Sequence, residues 1–261
     1  MYWFDGQLSP QTHISLEIDH PALLYGASVF TTLRVYGANL DHPKTAWQQH
    51  CDRIQHSLAV FQWPAPNWPR IRAGAERLTA TYPILRITIF PDGRELITGR
   101  PLPAELARRQ RQGITAWVAS PDLHGRALAA HKTGNYLGCW LALQQAKQQG
   151  AQEAILINRQ NQWLETSTGN LWGWAHGTWW TPPLPAGILP GVARARILNR
   201  LSRRHYPVQE SLWNDSLIPQ LEVLAYSNAV VECIPIHTVL SGQIRLEYNP
   251  RHDALNVLRD L

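Results

Sequence analysis

The stretch Ala130-His131-Lys132-Thr133-Gly134-Asn135-Tyr136-Leu137 contains one of only three lysines in a chain of 261 residues. Lysine and arginine together number 24, so nearly all of the positive charge is carried by arginine. Unlike a guanidinium, the amine of lysine can lose its proton and form an imine with an aldehyde. Lys132 is therefore a candidate for covalent chemistry, with a plain surface lysine as the alternative, whereas Lys44 and Lys147 are interpreted as solvated.

The residues after Lys132 predict a helix. Leu137, Trp140 and Leu141 recur at the spacing of one helical face, and Gly150 is typical of a helix end. A cation at the start of a helix opposes the macrodipole, which makes the position unfavourable for an ordinary lysine. The same field lowers the pKa of an amine, as imine formation requires. Lys132 is therefore expected at the N-terminus of this helix.

Residues 120–131 (Ser-Pro-Asp-Leu-His-Gly-Arg-Ala-Leu-Ala-Ala-His) are predicted to form a linker between two domains. Residues 1–119 alternate predicted strands with predicted helices. Residues 132–261 combine the helix after Lys132 with a meander of strands. The fold class that follows is α/β, or α+β, in two domains.

Periodicity and turn residues locate the elements of both domains. In the first domain the predicted strands cover 14–18, 29–36, 85–90 and 114–119, and the predicted helices cover 45–61 and 67–82. In the second domain the predicted strands cover 154–157, 163–166, 170–174, 178–181, 223–227 and 233–239. A loop rich in glycine and proline, from 182 to 191, leads into a predicted helix at 192–204, and a short helix is expected to close the chain.

The composition is that of a globular protein, with 44% hydrophobic and 16% charged residues. No apolar run approaches the ~20 residues that a membrane helix needs, and the first residues do not resemble a signal peptide. The three cysteines are spaced too widely for a disulfide framework or a metal site. A cytoplasmic protein with no metal and no membrane partner is therefore expected.

A net charge of +5 raises the question of nucleic-acid binding. The densest group of arginines falls on the predicted helix at 192–204, and its members are Arg194, Arg196, Arg200, Arg203 and Arg204. Such a group is more often a solvated helix face than a binding stripe. The 12 tryptophans follow no spacing that indicates base stacking, and they are interpreted mostly as core residues, with a dimer interface as the alternative for the others. No nucleic-acid partner is expected.

Glu165 lies in Trp163-Leu164-Glu165-Thr166-Ser167-Thr168-Gly169-Asn170, at the end of a predicted strand. A carboxylate among apolar and hydroxyl side chains is costly to bury unless it has a partner. A protonated pyridine nitrogen would be such a partner. The alternative is a glutamate that is exposed at a strand end.

The loop Gly187-Ile188-Leu189-Pro190-Gly191 leads directly into the helix that begins with Val192-Ala193-Arg194. The first N–H groups of a helix have no intrahelical partner, and they bind phosphate without a side-chain charge. This loop is therefore a candidate phosphate site, although most loops of this kind are ordinary connections.

Taken together and in chain order, these segments resemble the class IV (fold type IV) pyridoxal-phosphate enzymes, namely branched-chain aminotransferases, D-amino-acid aminotransferases and aminodeoxychorismate lyases. Tyr25-Gly26-Ala27-Ser28-Val29-Phe30 is similar to the family's Y-G-x-x-x-F segment. His50-Cys51-Asp52-Arg53-Ile54 is similar to its H-x-x-R-L helix, whose arginine binds the cofactor phosphate. Lys132 matches the Schiff-base lysine and Glu165 the carboxylate at the pyridine nitrogen. Gly191-Val192-Ala193-Arg194 is similar to the G-I-T-R phosphate turn.

The resemblance implies a fold and a set of roles. The fold is a smaller N-terminal α/β domain and a larger, β-rich C-terminal domain, with pyridoxal 5'-phosphate in the cleft, assembled as a homodimer. Lys132 is implied to hold the cofactor and to act as the catalytic base, and Glu165 to keep the ring nitrogen protonated. The other implied cofactor-binding residues are Arg53, Asn228 and, through their main-chain N–H groups, Val192 and Ala193.

Within the family, the chain is most similar to the aminodeoxychorismate lyases. Phe30 is followed by Thr31 and Thr32, where many aminotransferases have glutamate and a small residue. The stretch 227–236 (Ser-Asn-Ala-Val-Val-Glu-Cys-Ile-Pro-Ile) also resembles the lyases, and residues 90–98 lack the Arg-x-His pair of D-amino-acid aminotransferases. Thr32 is then implied to approach the substrate and to assist proton transfer.

Some residues depart from the lyase pattern or have more than one reading. Ala193 replaces the threonine of the phosphate turn, and residues 92–100 lack the lyases' G-R-G loop. Arg94 and Arg34 are both candidates for binding a substrate carboxylate, and a structural role is equally open for each.

The implied reaction converts 4-amino-4-deoxychorismate to 4-aminobenzoate and pyruvate in folate biosynthesis. One alternative is an aminotransferase that acts on branched-chain or D-amino acids. A second alternative is a protein with the same fold that binds ligands without catalysis.

Overall fold

The computed structural model describes residues 1–259 of the chain. Met1–Pro103 and His131–Asn135 form a smaller compact unit. Ala104–Ala130 and Tyr136–Leu261 form a larger unit, of which residues 260 and 261 lie outside the described part. This division differs from the predicted domains in two places, because residues 104–119 belong to the larger unit and the Lys132 segment belongs to the smaller one.

The described residues of the smaller unit form five strands and three helices. The strands are β1 (Tyr2–Phe4), β2 (Gln7–Ser9), β3 (Val29–Arg34), β4 (Ile84–Ile89) and β5 (Glu95–Arg100). The helices are α1 (Pro21–Tyr25), α2 (Trp47–Val60) and α3 (Trp68–Thr79). The start of α3 follows the usual capping chemistry, since the side chain of Asn67 accepts a hydrogen bond from the N–H of Arg70 at 3.0 Å.

The sheet of the smaller unit is antiparallel, with the strand order β2-β1-β5-β4-β3. Successive side chains of a strand point to opposite faces, so every second residue of β3, β4 and β5 contributes to a core with α2 and α3. The buried side chains of that core include Val29, Leu33, Ile54, Leu58, Ile71, Leu78, Leu85, Ile87, Ile89 and Ile97. Helix α3 approaches the sheet closely at Gly74, where an added Cβ would lie 2.5 Å from the ring of Trp3.

Glu95 is a fully buried carboxylate at the start of β5. Its oxygens accept hydrogen bonds from the indole N–H of Trp3 at 2.9 Å and from the main-chain N–H of Gly6 at 2.9 Å. They also accept two from the guanidinium of Arg70 on α3, at 3.0 and 2.6 Å. This group of bonds joins β5, the β1–β2 turn and α3, and it compensates the cost of burying the charge.

The described residues of the larger unit form nine strands and five helices. The helices are α4 (Leu106–Gln112), α5 (Pro121–His124), α6 (Leu137–Gln148), α7 (Val192–Arg203) and α8 (Asn256–Arg259). The first strands are β6 (Ile114–Val118), β7 (Glu153–Ile157), β8 (Trp163–Thr166), β9 (Asn170–Ala175) and β10 (Thr178–Thr181). The last strands are β11 (Val208–Glu210), β12 (Val223–Asn228), β13 (Glu232–Ser241) and β14 (Ile244–Glu247). Short 3-10 helices cover Leu184–Ala186, Ile218–Gln220 and Asp253–Leu255.

The strands of the larger unit form one mixed sheet in the order β11-β10-β9-β12-β13-β6-β7-β8, with β14 paired to β13. Strand β6 lies between β13 and β7 and is parallel to both. This pairing explains why residues 114–118, which the sequence placed in the first domain, belong to the larger unit. Glu165 of β8 also pairs with Asn170 of β9, so the sheet closes on itself at this point.

Helices cover the sheet of the larger unit and complete its core. The core beneath α7 and α8 includes Trp172, Trp179, Ile197, Leu201 and Leu258. Trp172, Trp179 and Trp213 are fully buried, which confirms the core interpretation for these three tryptophans. Arg194 on α7 is also buried and donates a hydrogen bond to Glu210 at 2.5 Å. The predicted solvated face of this helix is therefore wrong at Arg194, because an ion pair compensates its burial.

Two predictions about local structure are wrong, and one strand, β5, was missed. Residues 14–18 alternate like a strand but form none, and Ile18 is 88% exposed because no strand pairs with this segment. Strand β5 was not predicted, because its sequence Glu-Leu-Ile-Thr-Gly-Arg places a charge and a glycine among the apolar residues. The predicted linker 120–131 is structured, with helix α5 at its start and a buried arginine, Arg126, at its centre.

No helix among the described residues 1–259 is both long and apolar enough to cross a membrane.

We expect Glu95→Gln to lower the free energy of unfolding by about 2 kcal/mol, because it leaves the Arg70 guanidinium without its buried counter-charge. Urea denaturation followed by tryptophan fluorescence measures the change. The matched control is Arg72→Gln, which breaks partly exposed ion pairs with Asp41 and Glu76 and should cost less than about 1 kcal/mol. Equal losses in the two variants would contradict this account of Glu95.

Candidate active site

Lys132 lies on an extended segment that runs along the start of β3. Its carbonyl oxygen accepts a hydrogen bond from the N–H of Phe30 at 2.7 Å, and Val29 and Thr133 form an antiparallel bridge. Helix α6 begins only at Leu137, so Lys132 lies outside its first turn. The expected position at a helix N-terminus is therefore wrong, and so is the dipole argument that depended on it. Pairing with a strand positions this lysine instead.

The amine of Lys132 lies over the ring of Phe30, 4.7 Å from the ring centroid. The guanidinium carbon of Arg86 lies 3.5 Å from the same centroid. Phe30 is buried, at 4% exposure, and its electron-rich ring attracts both side chains. Lys132 and Arg86 are thereby brought to the same part of the smaller unit.

Thr32 and Arg86 share a face of the small sheet. They lie directly opposite each other in the pairing of β3 with β4, and Phe30 lies on the same face two residues away. Thr31 points to the opposite face, into the core. Sequence reasoning identified Thr32 but missed Arg86. The signal was a single cation inside the apolar run Ile84-Leu85-Arg86-Ile87, which a strand tolerates only on an accessible face.

Arg53, the arginine that the resemblance assigns to the phosphate, lies on α2. One of its terminal nitrogens donates a hydrogen bond to the hydroxyl of Thr31 at 2.7 Å. The same hydroxyl lies 2.6 Å from Nδ1 of His50, one turn earlier on the helix. Because a guanidinium only donates, the hydroxyl oxygen accepts from Arg53, and the tautomer of His50 decides which partner donates in the second hydrogen bond. Thr31, which sequence reasoning gave no role, therefore holds Arg53 in place.

Helix α2 also holds the segment that contains Lys132. Ser57, four residues after Arg53, has its hydroxyl 3.0 Å from Nδ1 of His131. The His131 ring packs against Phe61, with the centroids 4.8 Å apart, and stacks on His56. Burial, with a smaller contribution from the charge of His56, lowers the pKa of His131. A neutral imidazole beside Lys132 adds no further positive charge next to the amine.

Glu165 is buried in the larger unit, at 4% exposure, which excludes the alternative of an exposed strand-end glutamate. One carboxylate oxygen accepts a hydrogen bond from the guanidinium of Arg126. The other accepts from the N–H of Leu189 at 3.1 Å and from the amide of Asn170 at 3.4 Å. Glu165 and Arg126 both line a cleft of about 430 Å³ in this unit. Sequence reasoning missed Arg126 because it lies in the predicted linker.

The predicted phosphate turn starts helix α7, with Gly191 as its N-cap residue. Among the described residues, no side chain caps this helix start, so the N–H groups of Val192 and Ala193 are available for an anion. Gly191 is required here because an added Cβ would lie 2.1 Å from the side-chain oxygen of Asn170. The Ala193 side chain, where the family has threonine, packs in the core beneath α7, so only its main chain is a candidate phosphate ligand.

Asn228, which the resemblance assigns to the cofactor, makes hydrogen bonds within a turn of the larger unit. The Asn228 amide oxygen accepts hydrogen bonds from the N–H groups of Val230 and Val231, both at 2.9 Å, and its amide nitrogen donates to the Thr168 carbonyl at 3.2 Å. These bonds hold the turn between β12 and β13.

The two arginines proposed for a substrate carboxylate differ from each other. Arg94 is paired with Glu17 at 3.0 Å and with Asp92 at 2.6 Å, so its charge is already compensated. The guanidinium of Arg34 lies over the ring of Tyr36, 4.6 Å from the centroid. Arg34 shares the sheet face of Thr32 but lies at the end of β3.

These residues fit the three functional groups of pyridoxal phosphate. Lys132 supplies an amine for the aldehyde, Glu165 a buried carboxylate for the ring nitrogen, and Arg53 a cation for the phosphate. The start of α7, taken by itself, has main-chain donors that also suit a phosphate. The smaller unit contains the amine and the cation, and the larger unit contains the carboxylate and the helix start.

Comparison with known proteins identifies the family of the chain and its fold. A family model, amino-transferase class IV, matches residues 28–239. The aminodeoxychorismate lyase of Vibrio harveyi is 25% identical over 95% of this chain and 94% of its own length. The branched-chain-amino-acid aminotransferase of Escherichia coli K12 is also 25% identical, over 93% of this chain and 85% of its own. A solved structure described as a hypothetical aminotransferase from Mycobacterium tuberculosis, in its PLP-bound form, has a TM-score of 0.80 and 21% identity and covers 97% of this chain and 94% of that one. This likeness confirms the predicted fold class.

We expect Lys132→Ala to lose the visible absorbance of bound pyridoxal phosphate, because no other amine of the candidate site can bond to its aldehyde. Absorbance spectra of the purified variants after addition of the cofactor measure this. Lys147→Ala is the control, since Lys147 lies exposed on α6 and should leave the spectrum unchanged. A spectrum that survives Lys132→Ala would show that the lysine is wrongly assigned.

Proposed function

We propose that this chain, which belongs to the amino-transferase class IV family, is an aminodeoxychorismate lyase that converts 4-amino-4-deoxychorismate to 4-aminobenzoate and pyruvate in folate biosynthesis. The enzymes of the amino-transferase class IV family depend on pyridoxal phosphate. When bound, that cofactor withdraws electrons from the substrate carbon that carries the amine, which makes a proton on this carbon acidic.

The observation that carries the proposal is the character of the small sheet's face beside Lys132. That face presents the hydroxyl of Thr32 and the cation of Arg86, and Thr98 lies opposite Arg86 on the next strand. A polar and cationic surface suits a substrate with two carboxylates. It is a poor match for the hydrocarbon side chain of a branched-chain amino acid, because unpaired polar groups disfavour apolar ligands.

Arg86 is the arginine that we assign to a substrate carboxylate, in place of Arg94 and Arg34. Its guanidinium is stacked on the same ring as the Lys132 amine, and its residue is exposed on the sheet face. A planar guanidinium binds a carboxylate with two parallel hydrogen bonds, which fixes orientation as well as charge. Arg94 already has two carboxylate partners, so it is less suited to bind a third.

The reaction requires one proton to leave and one carbon–oxygen bond to break. The Lys132 amine removes the proton from the carbon that carries the substrate amine. The electron pair that remains expels the enolpyruvyl oxygen from the neighbouring carbon, and the ring becomes aromatic. The released enolpyruvate takes up a proton and becomes pyruvate. We propose that the Thr32 hydroxyl assists these proton transfers as donor and acceptor.

The remaining cofactor contacts follow from the residues described above. Arg53, held by Thr31, and the N–H groups of Val192 and Ala193 are proposed to bind the phosphate. Glu165 is proposed to keep the ring nitrogen protonated. Asn228 is proposed to act indirectly, by holding the turn that follows β12.

We further propose that the enzyme is a cytoplasmic homodimer with a small-molecule substrate and no nucleic-acid or membrane partner. Exposed apolar side chains on α1 support an interface between two copies, since Leu23, Leu24 and Tyr25 are 63%, 55% and 75% exposed.

An aminotransferase is the second candidate, because the aminotransferase of Escherichia coli matches this chain at the same identity as the lyase. Such an enzyme would act on branched-chain or D-amino acids. It would convert bound pyridoxal phosphate to pyridoxamine phosphate with an amino acid, and a keto acid would reverse the change.

Product analysis distinguishes the two candidates. We expect the purified protein with pyridoxal phosphate to form 4-aminobenzoate and pyruvate in equal amounts from 4-amino-4-deoxychorismate, measured by chromatography. The parallel reaction with an amino acid and a keto acid should give no exchange of the amino group. Lys132→Ala is the negative control for both reactions. Amino-group exchange without 4-aminobenzoate would overturn the lyase proposal in favour of an aminotransferase.

We expect Arg86→Gln to raise KM for 4-amino-4-deoxychorismate about tenfold or more, since a hydrogen bond to a charged group contributes about 1.5–3 kcal/mol. Initial-rate kinetics at saturating cofactor measure KM and kcat. Arg94→Gln is the matched control, because Arg94 is paired with two carboxylates and should change KM less than about twofold. If KM increased more in Arg94→Gln than in Arg86→Gln, Arg94 would be the residue that binds the substrate carboxylate.

A further inference from the structure

Arg126 contacts the Glu165 carboxylate, and neither the sequence motifs nor the proposed reaction explains this contact. It follows α5 in the chain, and its side chain is buried, at 8% exposure, next to that of Glu165 at 5%. The structure therefore shows a nearly fully buried ion pair within the larger unit. An unpaired buried carboxylate would instead take up a proton or move to solvent.

Besides the ion pair itself, contacts with Leu189, Asn170 and Tyr136 fix its orientation. Arg126 donates to one oxygen of Glu165, and the Leu189 N–H and the Asn170 amide donate to the other. The guanidinium carbon of Arg126 also lies 4.9 Å from the centroid of the Tyr136 ring, which holds the side chain from a second side. The carboxylate thus has a defined direction as well as a charge.

The electrostatics of the pair agree with its geometry. Burial by itself lowers the pKa of Arg126, but the attraction of the Glu165 carboxylate, with smaller contributions from Tyr136 and Cys139, outweighs it and raises that pKa overall. The guanidinium is therefore charged at any working pH, and Glu165 always faces a full positive charge.

We propose that Arg126 is a positioning residue for the cofactor ring nitrogen, because it keeps Glu165 ionised and correctly oriented for the ring N–H. A carboxylate accepts several hydrogen bonds at once, so one group can serve a guanidinium and a ring N–H together. Arg126 touches neither substrate nor reacting atoms in this role. The inference rests on the proposed contact of Glu165 with the ring nitrogen, and it holds for a lyase and an aminotransferase alike.

The test compares two ligands that differ only at the ring nitrogen. They are pyridoxal 5'-phosphate and its 1-deaza analogue, in which a C–H replaces that nitrogen. Quenching of the fluorescence of the 12 tryptophans gives a Kd for each ligand, and the ratio of the two Kd values is the preference for a ring nitrogen. A role that is only structural weakens both ligands together and leaves this ratio unchanged.

We expect Arg126→Met to reduce the preference about tenfold relative to the unmodified protein. Arg126→Lys keeps the positive charge but lacks the planar guanidinium, and it should retain part of the preference for a ring nitrogen. The matched control is Arg159→Met, since Arg159 lines the same cleft but is 84% exposed, and it should retain the full preference. A preference that is unchanged in Arg126→Met, or one that increases, overturns the proposal.

Additional variants cover a failure of Arg126→Met to fold and test the role of Glu165 itself. If Arg126→Met does not fold, as judged by circular dichroism, Arg126→Lys decides alone, and an undiminished preference in it overturns the proposal. Glu165→Gln should abolish the preference, and the addition of Arg126→Met to it should change nothing more. If Glu165→Gln keeps the preference, the assignment of Glu165 to the ring nitrogen is wrong, and the inference about Arg126 is overturned with it. That result leaves the product assay for the lyase unaffected.

Discussion

The buried negative charge of Glu165 is the constraint on which the site in the larger unit depends. At 4% exposure it is stabilised by the opposite charge of Arg126 and by hydrogen bonds from Leu189 and Asn170. Asn170 pairs with Glu165 where the sheet closes, and its side chain reaches the start of α7 only because Gly191 has no Cβ. One carboxylate thus connects the closure of the sheet, the loop before α7 and the helix start that suits a phosphate.

In the smaller unit, the alternation of side chains along β3 separates two functions. Thr31 points into the core and holds Arg53, the proposed phosphate ligand on α2. Thr32 and Phe30 point the other way, where Arg86 and the lysine amine meet the ring of Phe30. Two adjacent threonines therefore serve different partners, because neighbouring residues of a strand face opposite sides of the sheet. Helix α2 links both faces, since it carries the arginine proposed for the phosphate and also contacts the segment of the proposed catalytic lysine.

Much of the fold could be predicted from local patterns. The helices at 47–60 and 68–79 and the meander of strands from 153 to 181 lie within a few residues of their predicted bounds, because apolar spacing and turn residues mark them directly. The failures occur where pairing decides the outcome. Residues 14–18 have a strand pattern but no partner strand, whereas β5 has a poor strand pattern but two partner strands and a buried Glu95 that stabilises it.

The sequence by itself determined the family and, through the family, the cofactor. A rare lysine, a carboxylate in an apolar strand end and a glycine turn before a helix are properties of residue type and spacing, and their order along the chain resembles that of the class IV pyridoxal-phosphate enzymes. Only the tertiary structure decided which groups surround these residues. It placed Arg126 on Glu165 and Arg86 beside the lysine, and it replaced the expected helix dipole at Lys132 with strand pairing. The physical reason is that a buried charge needs a partner close in space, and its position in the sequence does not specify which residue that will be.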